Sequence, residues 1–228
     1  MKRIINYLPC IILTFIFVIW TILVKTVDVA FIKDVGYLGF YHFNNQVKES
    51  AVNFARSDLL HTLTNVGLYI MIALAAIFAF MGVYQWIKRK SFRKIDPELF
   101  VLASIYLVSI AYYIVFEITK INYSPLSEYG NLKASYPSTH VLMFIVILMT
   151  GLMTIFRYLN ASKYVKIFSY TVATVLCLIY AFARLYSLHH YFSDIIASIL
   201  LASSIIALYI SLAKDFLKAK EEVITKEE

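Results

Sequence analysis

The sequence predicts an all-α integral membrane protein, a bundle of about six transmembrane helices forming a single domain over residues 1–228. Three features point there. The chain is 61% hydrophobic and 15% charged, with a mean hydropathy of +0.75, whereas a soluble domain is about half apolar and about a quarter charged. Its apolar residues are gathered into runs of about 20, the length at which a helix crosses a bilayer. Its lysines and arginines cluster between those runs, where they set topology. The net charge of +7 is accounted for in this way, without a nucleic-acid partner.

The first run, residues 4–24, follows Met1-Lys2-Arg3. It is too long for the apolar region of a signal peptide, and no small-x-small cleavage site follows, so a retained anchor is expected. The later runs cover residues 63–86, 99–119, 141–158, 165–183 and 191–213. Trp20, Tyr84, Trp86, Tyr158 and Tyr191 lie near run ends, where aromatic rings favour the water–lipid boundary. Cys10 and Cys177 lie inside runs and read as small buried residues, since no disulfide framework or metal-ligand spacing is present.

Six spans bring four basic groups to one side: Lys2 with Arg3, the cluster from Lys88 to Lys94, Arg157 with Lys163 and Lys166, and Lys214 with Lys218 and Lys220. That side is predicted to be cytoplasmic. Both termini lie there, and residues 214–228 form a cytoplasmic tail continuing the last helix. On the opposite side Lys25, Lys33, Lys48 and Arg56 are thinly spread. The long connection 25–62 forms an outer segment. Its apolar residues recur among polar ones, as expected of an amphipathic helix on the outer interface or of a helix packed over the mouth of the bundle.

Two segments at that outer mouth carry the chemistry. They are Tyr136-Pro137-Ser138-Thr139-His140, and the stretch from Arg184 through His189 and His190 to Asp194. On a helix, His190 and Asp194 share a face. A carboxylate there accepts the Nδ1 proton and leaves Nε2 as a nucleophile; the alternative is a pair that only caps the helix. Arg184 offers a planar fork that matches phosphate oxygens, or else snorkels to water. Pro137-Ser138-Thr139 reads as a helix start, whose free N–H groups and positive dipole end form an anion site. His140, in that first turn, faces the anion and is placed to act as a general acid.

The pattern P-S-x-H followed by R-x5-H-x3-D resembles the type 2 phosphatidic acid phosphatase (PAP2) superfamily, whose motifs are K-x6-R-P, P-S-G-H and S-R-x5-H-x3-D. The resemblance covers roughly residues 117–194. It implies a six-helix core that hydrolyses a lipid phosphate or diphosphate, such as a polyprenyl diphosphate or a phosphatidic acid-like lipid. The site would lie at the outer face of the cell membrane and work through a phosphohistidine. It implies His190 as the nucleophile, Asp194 as its orienter and His140 as the acid for the leaving group. Arg184, Ser138 and backbone N–H groups, including that of Thr139, would hold the phosphoryl oxygens. Every role is filled by a side chain or an amide, so no metal or other cofactor is expected. The expected partners are the substrate lipid and the surrounding membrane lipids.

The chain departs from the pattern at four places. Glu117 stands at the lysine of the first motif, Ser124 at its arginine, Thr139 at the glycine and Ala183 at the serine. The first motif has thus lost both cations, a loss of several kcal/mol of charge stabilisation in a dry site. Lys120 or Lys133 is the expected replacement. Two other classes stay open: a catalytically inactive PAP2-like protein that binds lipid phosphate, and a lipid phosphotransferase in which an alcohol replaces water. A haem held between histidines finds no pair deep in two spans among His42, His61, His140, His189 and His190.

Overall fold

The computed structural model describes residues 2–32, 36–52, 58–125 and 133–227. Lys33 and Arg56, counted above among the outer cations, lie outside them, as does the side chain of His61. The chain runs through α1 (Lys2–Thr26), a hairpin of β1 (Ala30–Ile32) and β2 (Gly36–Leu38), α2 (Tyr41–Val52) and α3 (Asp58–Arg89). A 3₁₀ turn at Phe92–Lys94 leads into α4 (Pro97–Thr119), followed by α5 (Thr139–Tyr158), α6 (Lys163–Tyr186) and α7 (Phe192–Glu227).

Among the described residues, six helices are long and apolar enough to cross a membrane: α1 and α3 to α7. They are the six predicted runs, and the chain is a multi-pass membrane protein. α3 starts at Asp58, ahead of its apolar run, because the backbone ladder needs no apolar side chains to continue. Large apolar side chains face outward, as with Phe80, Leu107, Ile118 and Phe168, each at least 66% exposed. In water that would be costly; against lipid tails it costs nothing.

α7 is the central helix. Ala197, Leu201, Ala202, Ile205 and Tyr209 are buried along it, and α1 lies against its length. Small and hydroxyl-bearing residues make that close approach possible. Thr14 and Ser204 meet hydroxyl to hydroxyl at 2.7 Å, Ser211 Oγ donates to the Asn6 carbonyl at 2.6 Å, and Tyr7 OH donates to Asp215 at 2.9 Å. At the end nearest the site, Trp20 Nε1 donates to the Ser193 carbonyl at 3.0 Å. Cys177 is buried as expected, while Cys10 is half-buried with Sγ 3.6 Å from Ser204 Oγ.

The basic end of the bundle is gathered by Asp96. Its carboxylate accepts from Arg89 at 2.7 Å, from Gln85 at 2.7 Å and from Tyr158 at 3.0 Å. One carboxylate thus ties α3, the start of α4 and the end of α5.

The long connection between α1 and α3 differs from the sequence reading in one respect: two short strands pair antiparallel in it, with Ala30 opposite Leu38. Strands of three residues are too short to show an alternating pattern. After the hairpin the chain turns back across the end of α1 so closely that a Cβ on Gly39 would lie 1.5 Å from the Val24 carbonyl oxygen. Only glycine fits there. α2 then packs on α6 and α7 with Asn44 and Ala51 buried. Of the two arrangements predicted, it is the helix over the mouth of the bundle.

α3 packs on α5 and α6, whereas α4 packs on α5 and α7. Between α3 and α4 lie two apolar cavities of about 400 Å³ and about 390 Å³ that share Ala75. The first reaches His140; the second reaches Trp86 and Phe92 near the basic end.

Candidate active site

α5 begins at Thr139, with Ser138 at its cap position. The Ser138 hydroxyl makes no capping bond. It is fully buried, and Oγ has no hydrogen-bond partner among the described residues. The backbone of Ser138 instead binds α7: its N–H donates to the Asp194 carbonyl at 3.3 Å, and its own carbonyl accepts from Ser198 Oγ at 2.9 Å. These bonds bring the ends of the two sequence segments together.

His190 lies in the turn between α6 and α7. Leu188 there adopts φ +57°, a left-handed conformation that a leucine rarely takes. Because α7 starts only at Phe192, the helical stacking expected of His190 on Asp194 does not arise. His190 Nδ1 lies 2.9 Å from the backbone carbonyl of Ser135, and Nε2 lies 3.0 Å from Arg184 Nη2. A carbonyl can only accept and a guanidinium can only donate. The imidazole is therefore the neutral tautomer with the proton on Nδ1 and a lone pair on Nε2. Burial holds its pKa well below the ordinary imidazole value, and the charge of Arg184 adds to the shift. His189 and His140 lie close enough to contribute in the same direction.

Asp194 does not meet His190. It is fully buried, and its carboxylate accepts from Asn122 Nδ2 at 2.9 Å, from the Tyr191 N–H at 3.1 Å and from Ser193 Oγ at 3.4 Å. The Tyr191 bond closes the first turn of α7 in the manner of a capping box. Asn122 also reaches His190 from behind. Its carbonyl accepts the Ser135 N–H at 2.9 Å, and the Ser135 carbonyl takes the His190 proton. Asp194, Asn122, Ser135 and His190 form a chain of contacts in that order.

The other predicted residues fall as follows. Arg184 is buried at 8% exposure, and its Nε has no partner among the described residues. Thr139 and His140 are half-buried and line the first apolar cavity together with Leu68, Met71 and Tyr113. Lys120 ends α4 with φ 46° and its side chain is exposed; Lys133 is exposed as well. Neither lines the cavity that His140 faces. His42 is exposed and pairs with Asp28 at 2.7 Å.

Three site residues escaped the sequence reading: Asn44, Asn122 and Ser135. Asn44, on α2, donates to Ser193 Oγ at 3.0 Å and to the Gly39 carbonyl at 2.8 Å, and accepts the Ser193 N–H at 3.1 Å. Lone asparagines in a polar connection carry no spacing signal. Ser135 acts partly through its carbonyl, which every residue type possesses.

The sequence profile of the PAP2 superfamily matches residues 70–218. A transmembrane PAP2-type phosphatidylglycerolphosphate phosphatase from Bacillus subtilis shares the fold. Its crystal structure superposes with a TM-score of 0.65 at 16% identity, covering 91% of this chain and 96% of that one. No curated protein matches the chain. The profile takes in most of α3 and runs on through α4, α5, α6 and into α7, and with well over half the sequence matched the chain belongs to the PAP2 superfamily.

Proposed function

We propose that this protein is a membrane phosphatase that hydrolyses a lipid phosphate or diphosphate at the outer membrane face through a phosphohistidine at His190. The observation that carries the reading is the state of that imidazole: neutral, proton on Nδ1, lone pair on Nε2 shared with Arg184. A nucleophile for phosphorus needs that tautomer.

In the first step Nε2 attacks phosphorus. The P–N bond forms, the P–O bond to the leaving group breaks, and the leaving oxygen takes a proton from His140. Arg184 moves its donated hydrogen bond from Nε2 to the phosphoryl oxygens. Ser138 Oγ and Arg184 Nε, both without partners among the described residues, supply further donors. In the second step His140 removes a proton from water, the water oxygen bonds to phosphorus, and the P–N bond breaks. Inorganic phosphate leaves and His190 returns to neutral. Asp194 acts through Asn122 and Ser135, holding the carbonyl that orients His190.

The lipid character of the substrate is supported by the apolar cavity whose polar end is His140. A headgroup at the helix ends and a chain between α3 and α4 fit one amphiphile. Phosphatidylglycerol phosphate, named for the Bacillus subtilis protein, is one such amphiphile; a polyprenyl diphosphate is another. The basic clusters at the end carrying Asp96 support a cytoplasmic position for that end, which leaves the site outside.

The test is phosphate release by the purified chain from a panel of lipid phosphates, with and without a chelator. Release from at least one lipid, unchanged by chelator, is expected. No release from any would favour an inactive lipid-phosphate binder. Transfer to an added alcohol in place of water would favour a transferase.

A further inference from the structure

We propose that the cavity between α3 and α4 at the basic end of the bundle binds an anionic phospholipid, with a tail in the cavity and the phosphate on the neighbouring lysines and arginines. The inference does not rest on the phosphatase reading. The two sites are a membrane thickness apart. α5 starts at Thr139 and ends at Tyr158, whose hydroxyl donates to Asp96 at the basic end; its 20 residues span about 30 Å at 1.5 Å per residue.

The argument begins with the cavity. It has a volume of about 390 Å³, and no charged side chain among the described residues lines it. An engineered apolar cavity of about 150 Å³ takes up benzene, so this one has room for a length of hydrocarbon. It is open down to the backbone of α3: a Cβ on Gly82, which lines it, would meet nothing within 4 Å. Unfilled, such a gap forfeits dispersion contacts along its walls. In a bilayer the filling at hand is a lipid tail.

Charge then selects the lipid. The cavity reaches the 3₁₀ turn that joins α3 to α4, where Phe92 packs edge-on against Trp86, with centroids 6.0 Å apart, and against Phe100, at 5.1 Å. Aromatic rings of this kind sit at the level of the headgroups. From Lys88 to Glu98 the chain carries five cations and two carboxylates. Arg89 and Asp96 pair with each other at 2.7 Å, which leaves Lys88, Lys90, Arg93 and Lys94 to one carboxylate. Lys90 follows Trp86 by one helical turn, Arg93 and Lys94 follow Phe92 directly, and all three are exposed. Basic pockets between membrane helices hold anionic headgroups. A zwitterionic lipid brings an ammonium that the same cluster repels, whereas an anionic one brings only the charge that the cluster attracts.

The test reads the fluorescence of Trp86 in the full chain, reconstituted into dioleoyl phosphatidylcholine vesicles. Phosphatidylglycerol or phosphatidylcholine brominated on its tails is titrated in. Quenching is taken as the difference from Trp86→Phe, which removes the share of Trp20, the other tryptophan of the chain. The phosphatidylglycerol is expected to associate about tenfold more tightly than the phosphatidylcholine. The preference should fall to about twofold or less when Lys90→Gln, Arg93→Gln and Lys94→Gln are combined, since the headgroup then loses its cations. It should fall as far in Gly82→Phe, whose ring fills the open space. Equal quenching by the two lipids in the unaltered chain would overturn the proposal and leave a cavity for any hydrocarbon, the substrate's tail included. A preference that survives Gly82→Phe would mean a charged surface without a tail site; one that survives the three glutamines would mean that the basic turn does not bind the headgroup. Either overturns the proposal as well. If the triple variant does not fold, the unaltered chain is read at about 0.1 M and about 1 M salt, where the screening length falls from about 10 Å to about 3 Å; an unchanged preference then counts as the overturning result. If Gly82→Phe does not fold, Gly82→Leu is read by the same criteria.

Discussion

His190 donates its Nδ1 proton to the backbone carbonyl of Ser135 at 2.9 Å, and this one bond decides which ring nitrogen is free to attack. Because the acceptor is a carbonyl, no side-chain substitution at position 135 removes it. The orientation of His190 therefore depends on whatever holds the segment before α5 in place.

The nucleophile is the first point to examine. His190→Ala should abolish turnover and the acid-labile phosphoenzyme. His189→Ala should retain at least a third of the activity, since His189 Nδ1 is engaged by Ser187 Oγ at 2.7 Å. Quenched-flow trapping with radiolabelled substrate separates the two. A phosphoenzyme persisting in His190→Ala would remove His190 from the mechanism.

The pH profile follows from the state of the same ring. Attack needs unprotonated Nε2, so activity is lost as pH falls through the His190 pKa. Burial and Arg184 hold that pKa well below the usual imidazole value of about 6.5. The acid limb of kcat/KM belonging to the nucleophile should therefore lie below pH ~6.5. If that limb lies above it and vanishes in no histidine variant, His190 is not the titrating nucleophile.

Asp194 and Asn122 should behave as one unit. Each is buried, and their bond is 2.9 Å. Asp194→Asn and Asn122→Ala should each lower kcat by about 100-fold with little change in KM, and the double variant should be little worse than either. Leaving one partner unsatisfied also costs about 1–3 kcal/mol of stability. Additive losses, or a mild Asn122→Ala beside a severe Asp194→Asn, would argue for a direct hold of Asp194 on His190.

Stability has its own test at the α3–α6 contact. A Cβ on Gly67 would lie 2.0 Å from the Tyr180 ring, which stacks on Phe144 with centroids 4.3 Å apart. Gly67→Ala should cost about 1–3 kcal/mol through forced repacking, seen as a lower thermal midpoint in micelles. An unchanged midpoint would mean that the Tyr180 ring has room to move.

Orientation can be read with cysteine labelling after Cys10 and Cys177 are replaced by alanine. Ser50→Cys, on the exposed side of α2, should react with an impermeant reagent added outside intact cells. Ser91→Cys, beside the basic 3₁₀ turn, should react only after permeabilisation. The reverse pattern would put the site in the cytoplasm.

What could be read from residues alone was what depends on near neighbours in the chain. Run length and the spacing of basic clusters sufficed for six spans, because crossing a bilayer is a requirement on each segment separately. The types of group at the mouth, with two histidines, an arginine and an aspartate in close register, were likewise local. The partners of those groups were not. Spacing paired Asp194 with His190; folding paired it with Asn122, 72 positions away, and gave His190 to Ser135, 55 positions away. Asn44 meets Ser193 across 149 positions. Such contacts depend on where a turn ends and a helix begins, and on which buried donor reaches a carboxylate first. The start of α7 at Phe192 takes His190 off the helix, and in a water-poor interior its ring and the Asp194 carboxylate then bond to the donors and acceptors that folding brings within reach.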